Sequence, residues 1–210
     1  MVTDRPIVHV IDDDDAARDS LAFLLKSARM AVEIHESASE FIKNPGRHEN
    51  CCVITDVRMP GMSGIELLKH LKKQPSPTPV IVITGHGDVP LAVEAMRYGA
   101  FDFIEKPFDD EVLLKSVRHA LELLKVNSKR DADRAEILEK LATLSARERQ
   151  VLDGLVAGLP NKTIAYDLKI SPRTVEIYRA NTMTKMGAAS LSDLVRMALT
   201  AGLLETPRND

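Results

Sequence analysis

Residues 7–15 read IVHVIDDDD, a short apolar run that ends in consecutive aspartates. Three later stretches repeat the design: CVITD at 52–56, VIVIT at 80–84 and FDFIEK at 101–106. Asp12 and Asp13, Asp56, Thr84 and Lys106 therefore fall at or just after the ends of runs rich in Val and Ile. Each run is followed by a segment with helical periodicity, the pattern of parallel strands buried on both faces by crossover helices. Right-handed crossovers place the carboxyl ends of such strands along one rim, and ligands of open α/β sheets bind there. The expectation is an α/β domain that gathers three carboxylates, one hydroxyl and one ammonium into one pocket.

Three converging carboxylates repel one another unless a cation sits among them. A hard divalent ion answers that need, because Mg²⁺ takes oxygen ligands and binds through one or two carboxylates together with phosphate oxygens. The sequence shows no Cys/His cluster to compete with this reading. Mg²⁺, or Mn²⁺ in its place, is expected on Asp13 and Asp56, with Asp12 assisting through water. A carboxylate can also attack phosphorus and form an aspartyl phosphate. Lys106 suits the stabilisation of charge on a transferring phosphoryl group, and Thr84 can donate a hydrogen bond to one of its oxygens.

The motifs IDDD at 11–14, TDVRMPGMSG at 55–64, ITGHG at 83–87 and FIEKPF at 103–108 resemble those of receiver domains of two-component response regulators. The resemblance runs over residues 1–125. It implies a (βα)5 flavodoxin-like domain with a doubly wound parallel sheet in the order 2-1-3-4-5. It further implies that Asp56 accepts a phosphoryl group from a phosphohistidine of a sensor histidine kinase. Asp12 and Asp13 would organise the metal, with the backbone carbonyl of Arg58 as a further ligand. Thr84 and Phe103 would be coupled switch residues, and Lys106–Pro107 a cis peptide. Plainer roles are expected nearby: Asp14 and Asp15 open a helix, Gly61 and Gly64 shape a turn, and His86 is solvated in a loop.

A second pattern begins at Leu144. Ser145 and Glu148 make a capping box for a helix that stops near Gly158. Asn161 is positioned to cap a short helix carrying Ile164, Ala165 and Leu168. After a turn at Lys169 and Ile170, Ser171 can cap the next helix, with Pro172 at its first position. Two short helices joined in this way make a helix-turn-helix, whose second helix enters the DNA major groove. On that helix Val175, Thr182 and Met186 share one face. Arg173, Thr174, Glu176, Ile177, Ala180 and Asn181 are the candidates for DNA contact, with Lys162 and Lys185 placed for phosphates. Arg179 lies near the core face, where a structural ion pair, with Glu148 as the candidate partner, weighs at least as heavily as a phosphate contact. Residues 144–205 resemble the four-helix DNA-binding domain of the LuxR/NarL/FixJ family of response regulators, through LSARERQVL, LPNKTIA, ISPRTVE and SLSDLVRMAL. Within that family the chain is most similar to nitrogen-fixation regulators, which implies an oxygen-responsive, haem-containing sensor kinase as phosphoryl donor.

Charge follows the same division. Residues 1–125 hold 15 basic and 20 acidic side chains, and residues 145–204 hold 8 and 5, net −5 against net +3. A basic second domain beside an acidic first one places nucleic acid at that end. Residues 126–143 form the expected linker. No Gly or Pro interrupts residues 111–143, so the last receiver helix can continue toward Leu141, but the all-polar stretch 127–133 leaves a solvated helical spacer and a frayed segment both open. Cys51 and Cys52 read as buried thiols of a reducing cytoplasm. No apolar run approaches the roughly 20 residues of a membrane helix, and no signal peptide is evident.

These readings combine into a phosphorylation-switched transcription regulator whose receiver is expected to catalyse only its own phosphorylation and dephosphorylation. Phosphorylation is expected to draw Thr84 and Phe103 inward and to pair two receivers through the 88–105 face, at Leu91 and Ala95. Val195 and Leu199 on the last helix would complete the homodimer on promoter DNA, with RNA polymerase as a further partner. Receiver masking of the DNA-binding domain is the alternative or additional device. The rivals are a DNA-binding protein with a phosphate-blind receiver and a phosphate-ester hydrolase with Asp56 as nucleophile. The hydrolase is disfavoured by Arg58, where a second acid/base would stand.

Overall fold

The computed structural model describes residues 5–43, 50–74, 78–85 and 89–203. His86 and Gly87 of the ITGHG motif, Asp88 at the edge of the 88–105 face, and Leu204 and Glu205 at the end of the second domain lie outside the described residues. The chain divides into two units, Met1–Ser128 and Lys129–Asp210.

The first unit alternates β1 (Ile7–Ile11), α1 (Asp15–Ser27), β2 (Ala31–His35), α2 (Ala38–Ile42), β3 (Cys51–Asp56), α3 (Gly64–Leu71), β4 (Val80–Thr84), α4 (Val89–Arg97) and β5 (Asp102–Glu105), then enters α5 (Asp110–Ala142). All strand pairs are parallel, in the order β2-β1-β3-β4-β5. Side chains alternate between faces along each strand. Ile11, Cys51, Val53, Val80 and Val82 accordingly join the core beneath α2, α3 and α4. Val8, Val10, Cys52, Ile54, Ile81 and Ile83 join the core shared with Leu21 and Leu25 of α1 and Leu113 and Val117 of α5. Burial on both sides explains why the central strands β1, β3 and β4 read as largely apolar runs. The two thiols thus face opposite cores, and burial pushes Cys51 up to about 12 and Cys52 higher still.

Helix starts follow local capping chemistry. Asp14 accepts from Ala17 N–H at the head of α1, and Ser63 and Glu66 form a reciprocal capping box at α3. Asp15 is the first residue of α1, as read from its sequence.

In the second unit, the last turns of α5 bring Ile137 and Leu141 into a core with α6 (Ala146–Val156), α7 (Asn161–Leu168), α8 (Pro172–Met186) and α9 (Leu191–Ala201). α5 runs to Ala142, so residues 126–142 take the helical one of the two states that the sequence left open. Ser145 and Glu148 form the expected capping box, and Gly158 follows at φ +77°. One cap differs from expectation. The N-cap of α7 is Pro160, without a side-chain bond, and Asn161 is already helical. The proline ring fixes φ at −62° and ψ is 149°, a conformation that suits the entry to a helix, so the cap is set by backbone geometry. No helix among the described residues is long and apolar enough to cross a membrane.

Candidate functional site

At the carboxyl rim of the sheet, Lys106 Nζ donates to Asp12 Oδ2 at 2.9 Å and to Asp56 Oδ1 at 3.2 Å. β1 ends just before Asp12, β3 ends at Asp56, and Lys106 follows β5, so three strands meet through one ammonium. The side chains are 5%, 14% and 29% exposed for Asp12, Asp56 and Lys106, and such buried charge persists only with partners of opposite sign. Burial pulls the Lys106 ammonium down, but the bond and attraction from Asp12, followed by those from Asp56, outweigh it and hold the group above the ordinary lysine value. The group stays cationic at neutral pH.

The loop after β3 is shaped around Asp56. Arg58 N–H donates to Asp56 Oδ2 at 2.7 Å, and Gly64 N–H donates to the Val57 carbonyl at 3.0 Å. Gly61 sits at φ +78° in this turn. Asp13 is exposed and lines a hollow with Arg58, Met59, Glu66 and Leu91. Thr84 ends β4, is buried, and accepts the Lys106 N–H through its carbonyl at 2.8 Å. Phe103 is half-buried against the core beneath α4. The Lys106–Pro107 bond is cis. Two carboxylates already offer oxygens to one cation here, and Asp13 adds a third at the same rim; an all-oxygen set of this kind fits Mg²⁺ or Mn²⁺.

Arg18 was not anticipated. Its guanidinium donates to the Asp12 carbonyl at 2.6 Å and pairs with Asp15. The i,i+3 spacing of Asp15 and Arg18 at the start of α1 was the available signal. The proposed pairing residues of α4 need correction. Ala95 is fully buried in the receiver core and Leu91 packs against that core, so neither heads an open face. The exposed apolar side chains of α4 are Val89, Val93 and Met96. The helix is turned so that Ala95 meets the sheet, where its small side chain allows close approach.

In the second unit, Val175, Thr182 and Met186 of α8 are buried as expected. Arg173, Glu176, Ile177, Ala180 and Asn181 are exposed, and Arg173 pairs with Glu176 at 3.2 Å. Thr174 is half-buried, with its hydroxyl 2.8 Å from that of the cap Ser171. Lys162 is exposed on α7. Leu199 is exposed and Val195 half-buried on α9. The partner of Glu148 differs from expectation. Lys185, read as a phosphate contact, donates to Glu148 Oε2 at 2.7 Å and to the Thr143 carbonyl at 3.2 Å. Arg179 instead lines a hollow with Pro160, Asn161, Lys162 and Leu191. The last turn of α8 lies over the start of α6, a placement that helical phase within α8 cannot supply.

The bond from Lys185, followed by that from the Ser145 N–H, holds the Glu148 carboxyl down at about 2 against an ordinary 4.5. A depressed carboxyl contributes stability above its unfolded value, and that contribution is lost as pH falls through the folded one. The unfolding midpoint of the wild-type chain is therefore expected to fall from pH 4.5 to 2 more steeply than that of Glu148→Gln. Urea midpoints of the two proteins that fall equally between pH 4.5 and 2 would contradict the assignment.

The response regulator receiver domain family matches residues 8–118, and the luxR family of bacterial regulatory proteins matches residues 142–198. Transcriptional regulatory protein FixJ of Azorhizobium caulinodans is 60% identical over 196 residues, covering 93% of each chain. The protein of the same name from Bradyrhizobium diazoefficiens is 53% identical over 203 residues, covering 97% of this chain and 99% of that one. Among solved structures, full-length FixJ from B. japonicum superposes with a TM-score of 0.58 at 53% identity, over 97% of this chain and 100% of that one. Response regulator StyR gives 0.80 at 38% identity, over 93% and 98%.

Proposed function

The chain belongs to the FixJ-like response regulators that join a receiver domain to a luxR-type DNA-binding domain, and from that membership we propose that phosphorylation of Asp56 switches its binding to promoter DNA. The family is one of transcription regulators and not of enzymes. The observation that carries the proposal is the Lys106 ammonium shared between Asp12 and Asp56 at the strand ends.

An Asp56 oxygen attacks the phosphorus of a phosphohistidine on a sensor histidine kinase. The P–N bond breaks, the imidazole leaves with the bonding pair and takes a proton, and an acyl phosphate remains on Asp56. Asp12, Asp13, Asp56 and the Arg58 carbonyl would hold Mg²⁺ or Mn²⁺, which supplies charge neutralisation for the phosphoryl oxygens. Lys106, already joined to Asp56, offers its ammonium to the new dianion. Thr84 at the end of β4 donates to a phosphoryl oxygen, and its movement leaves room for Phe103 to turn inward. The surface of α4 and β5 changes as a result, and two receivers pair there. The exposed Val89, Val93 and Met96 are better suited to this contact than Leu91 and Ala95.

Pairing brings two α8 helices to DNA half-sites. Arg173, Thr174, Glu176, Ile177, Ala180 and Asn181 face the groove, Lys162 reaches phosphate, and Val195 and Leu199 of α9 complete the dimer. The setting is cytoplasmic, the donor an oxygen-sensing, haem-containing kinase, the outcome activation of nitrogen-fixation or low-oxygen genes, with RNA polymerase as a further partner. These last assignments rest on likeness to the FixJ proteins.

The test combines intact mass, oligomeric state and binding to a duplex selected from a random-sequence pool, before and after treatment with acetyl phosphate and Mg²⁺. The expected result is a gain of one phosphoryl group accompanied by dimerisation and tighter DNA binding. A phosphorylated chain that stays monomeric and binds DNA no more tightly overturns the switch.

A further inference from the structure

Outside the acidic rim, a second group of ligand-type side chains sits at the β2 edge of the sheet. β1 and β2 pair in parallel with His9 opposite Glu33 and Ile11 opposite His35. Side chains two residues apart on a strand share a face, so His9, Glu33 and His35 lie together under α2. His9 Nδ1 is 2.9 Å from His35 Nε2 and 3.9 Å from Glu33 Oε2. One ligand atom from each of the three residues lies within 4.8 Å of the others. Phe41 of α2 walls the group, with ring centres 5.1 Å from His9 and 5.3 Å from His35. Both histidines are buried, whereas the Glu33 side chain is 34% exposed and opens the group to solvent. The sequence reading, which found no Cys/His cluster, missed this group because its members come from two strands 26 residues apart in their histidines.

We propose that His9, Glu33 and His35 form a site for one divalent transition ion, with Zn²⁺ as the best fit. Two imidazole nitrogens and one carboxylate oxygen are a ligand set for Zn²⁺ and its first-row neighbours, and a water molecule can complete four-coordination. Mg²⁺ prefers oxygen and belongs to the acidic rim. A short contact between two imidazole nitrogens needs one to donate and the other to accept. Ligation needs both lone pairs, so the proton between the rings moves to the far nitrogen of its ring by a change of tautomer, or leaves to solvent. Cys51 is no ligand in this scheme: its thiol has Thr78 as a hydrogen-bond partner, and the ligand atoms that converge among the described residues belong to His9, Glu33 and His35. The bound ion would tie β1 to the edge strand β2, three residues ahead of Asp12.

The untagged full chain, stripped of metal and held in excess Mg²⁺ to fill the acidic rim, is titrated with Zn²⁺ by calorimetry, and with Co²⁺ for its visible spectrum. The expected result is one Zn²⁺ per chain and the intense visible bands of four-coordinate Co²⁺, without a thiolate charge-transfer band. His35→Gln removes binding, Glu33→Gln weakens it by at least about tenfold, and Asp56→Asn leaves it unchanged. If His35→Gln does not fold, Glu33→Gln decides, since that side chain is partly exposed and its loss leaves the core intact. No retained Zn²⁺, or affinity unaltered in Glu33→Gln, overturns the site.

Discussion

Asp56→Asn is expected to gain no phosphoryl mass under conditions in which the wild-type chain gains one group. The substitution keeps the shape of the side chain but replaces a nucleophilic carboxylate oxygen with an amide, whose nitrogen lone pair is delocalised and attacks phosphorus poorly. The fold has little reason to respond. The Asn carbonyl oxygen can still accept the Arg58 N–H that Asp56 Oδ2 accepts at 2.7 Å. Lys106 retains Asp12 at 2.9 Å, and the rim loses one negative charge from a crowded group. Uptake should therefore fall to background while the urea midpoint holds or rises. Intact mass after acetyl phosphate and Mg²⁺ separates the outcomes, and an equal gain in the variant would move the acceptor elsewhere.

Gly64→Ala should damage both stability and phosphoryl uptake, although Gly64 carries no functional group. A Cβ at this position would lie 2.2 Å from the Asp56 carbonyl oxygen, 3.0 Å from its carbon and 3.1 Å from Thr55 Cγ2. The obstacle is backbone and cannot swing aside. Asp56 is paired in register with Ile83 of β4, and Gly64 is held by its bond to the Val57 carbonyl at 3.0 Å. Overpacking of this kind costs roughly 1–3 kcal/mol, occasionally more. Relief requires the phosphoacceptor loop to shift, and displacement of a reacting group by about 1 Å can cost about a hundredfold in rate. Gly61→Ala is the comparison. It has a left-handed φ of +78° but nothing within 4 Å, so it carries backbone strain alone. A Gly64→Ala chain as stable and as readily phosphorylated as Gly61→Ala would refute the close approach.

Four of the five strands, the capped starts of α1, α6 and α8, and the rim position of Asp12, Asp56, Thr84 and Lys106 were legible in the residues themselves, whereas the edge strand β2, half-exposed and broken by Glu33, was not. Strands buried on both faces leave unbroken apolar runs, and caps depend on neighbours within four residues. The exposed and buried faces of α8 followed from helical period. The phase of α4 did not: Leu91, Ala95, Val89, Val93 and Met96 are all apolar, so composition could not tell which side meets the sheet, and Ala95 proved to be the buried one.

Local sequence determined β1, β3, β4 and β5, the helix-turn-helix order of the second domain, and the set of side chains brought to the strand ends, because each depends on short-range period and chain connectivity. Tertiary structure alone decided that Lys185 and not Arg179 meets Glu148, that residues 126–142 are helical, and that His9, Glu33 and His35 converge. The contacts depend on how one element is rotated and seated against another, and packing sets that rotation through side chains distant in the sequence.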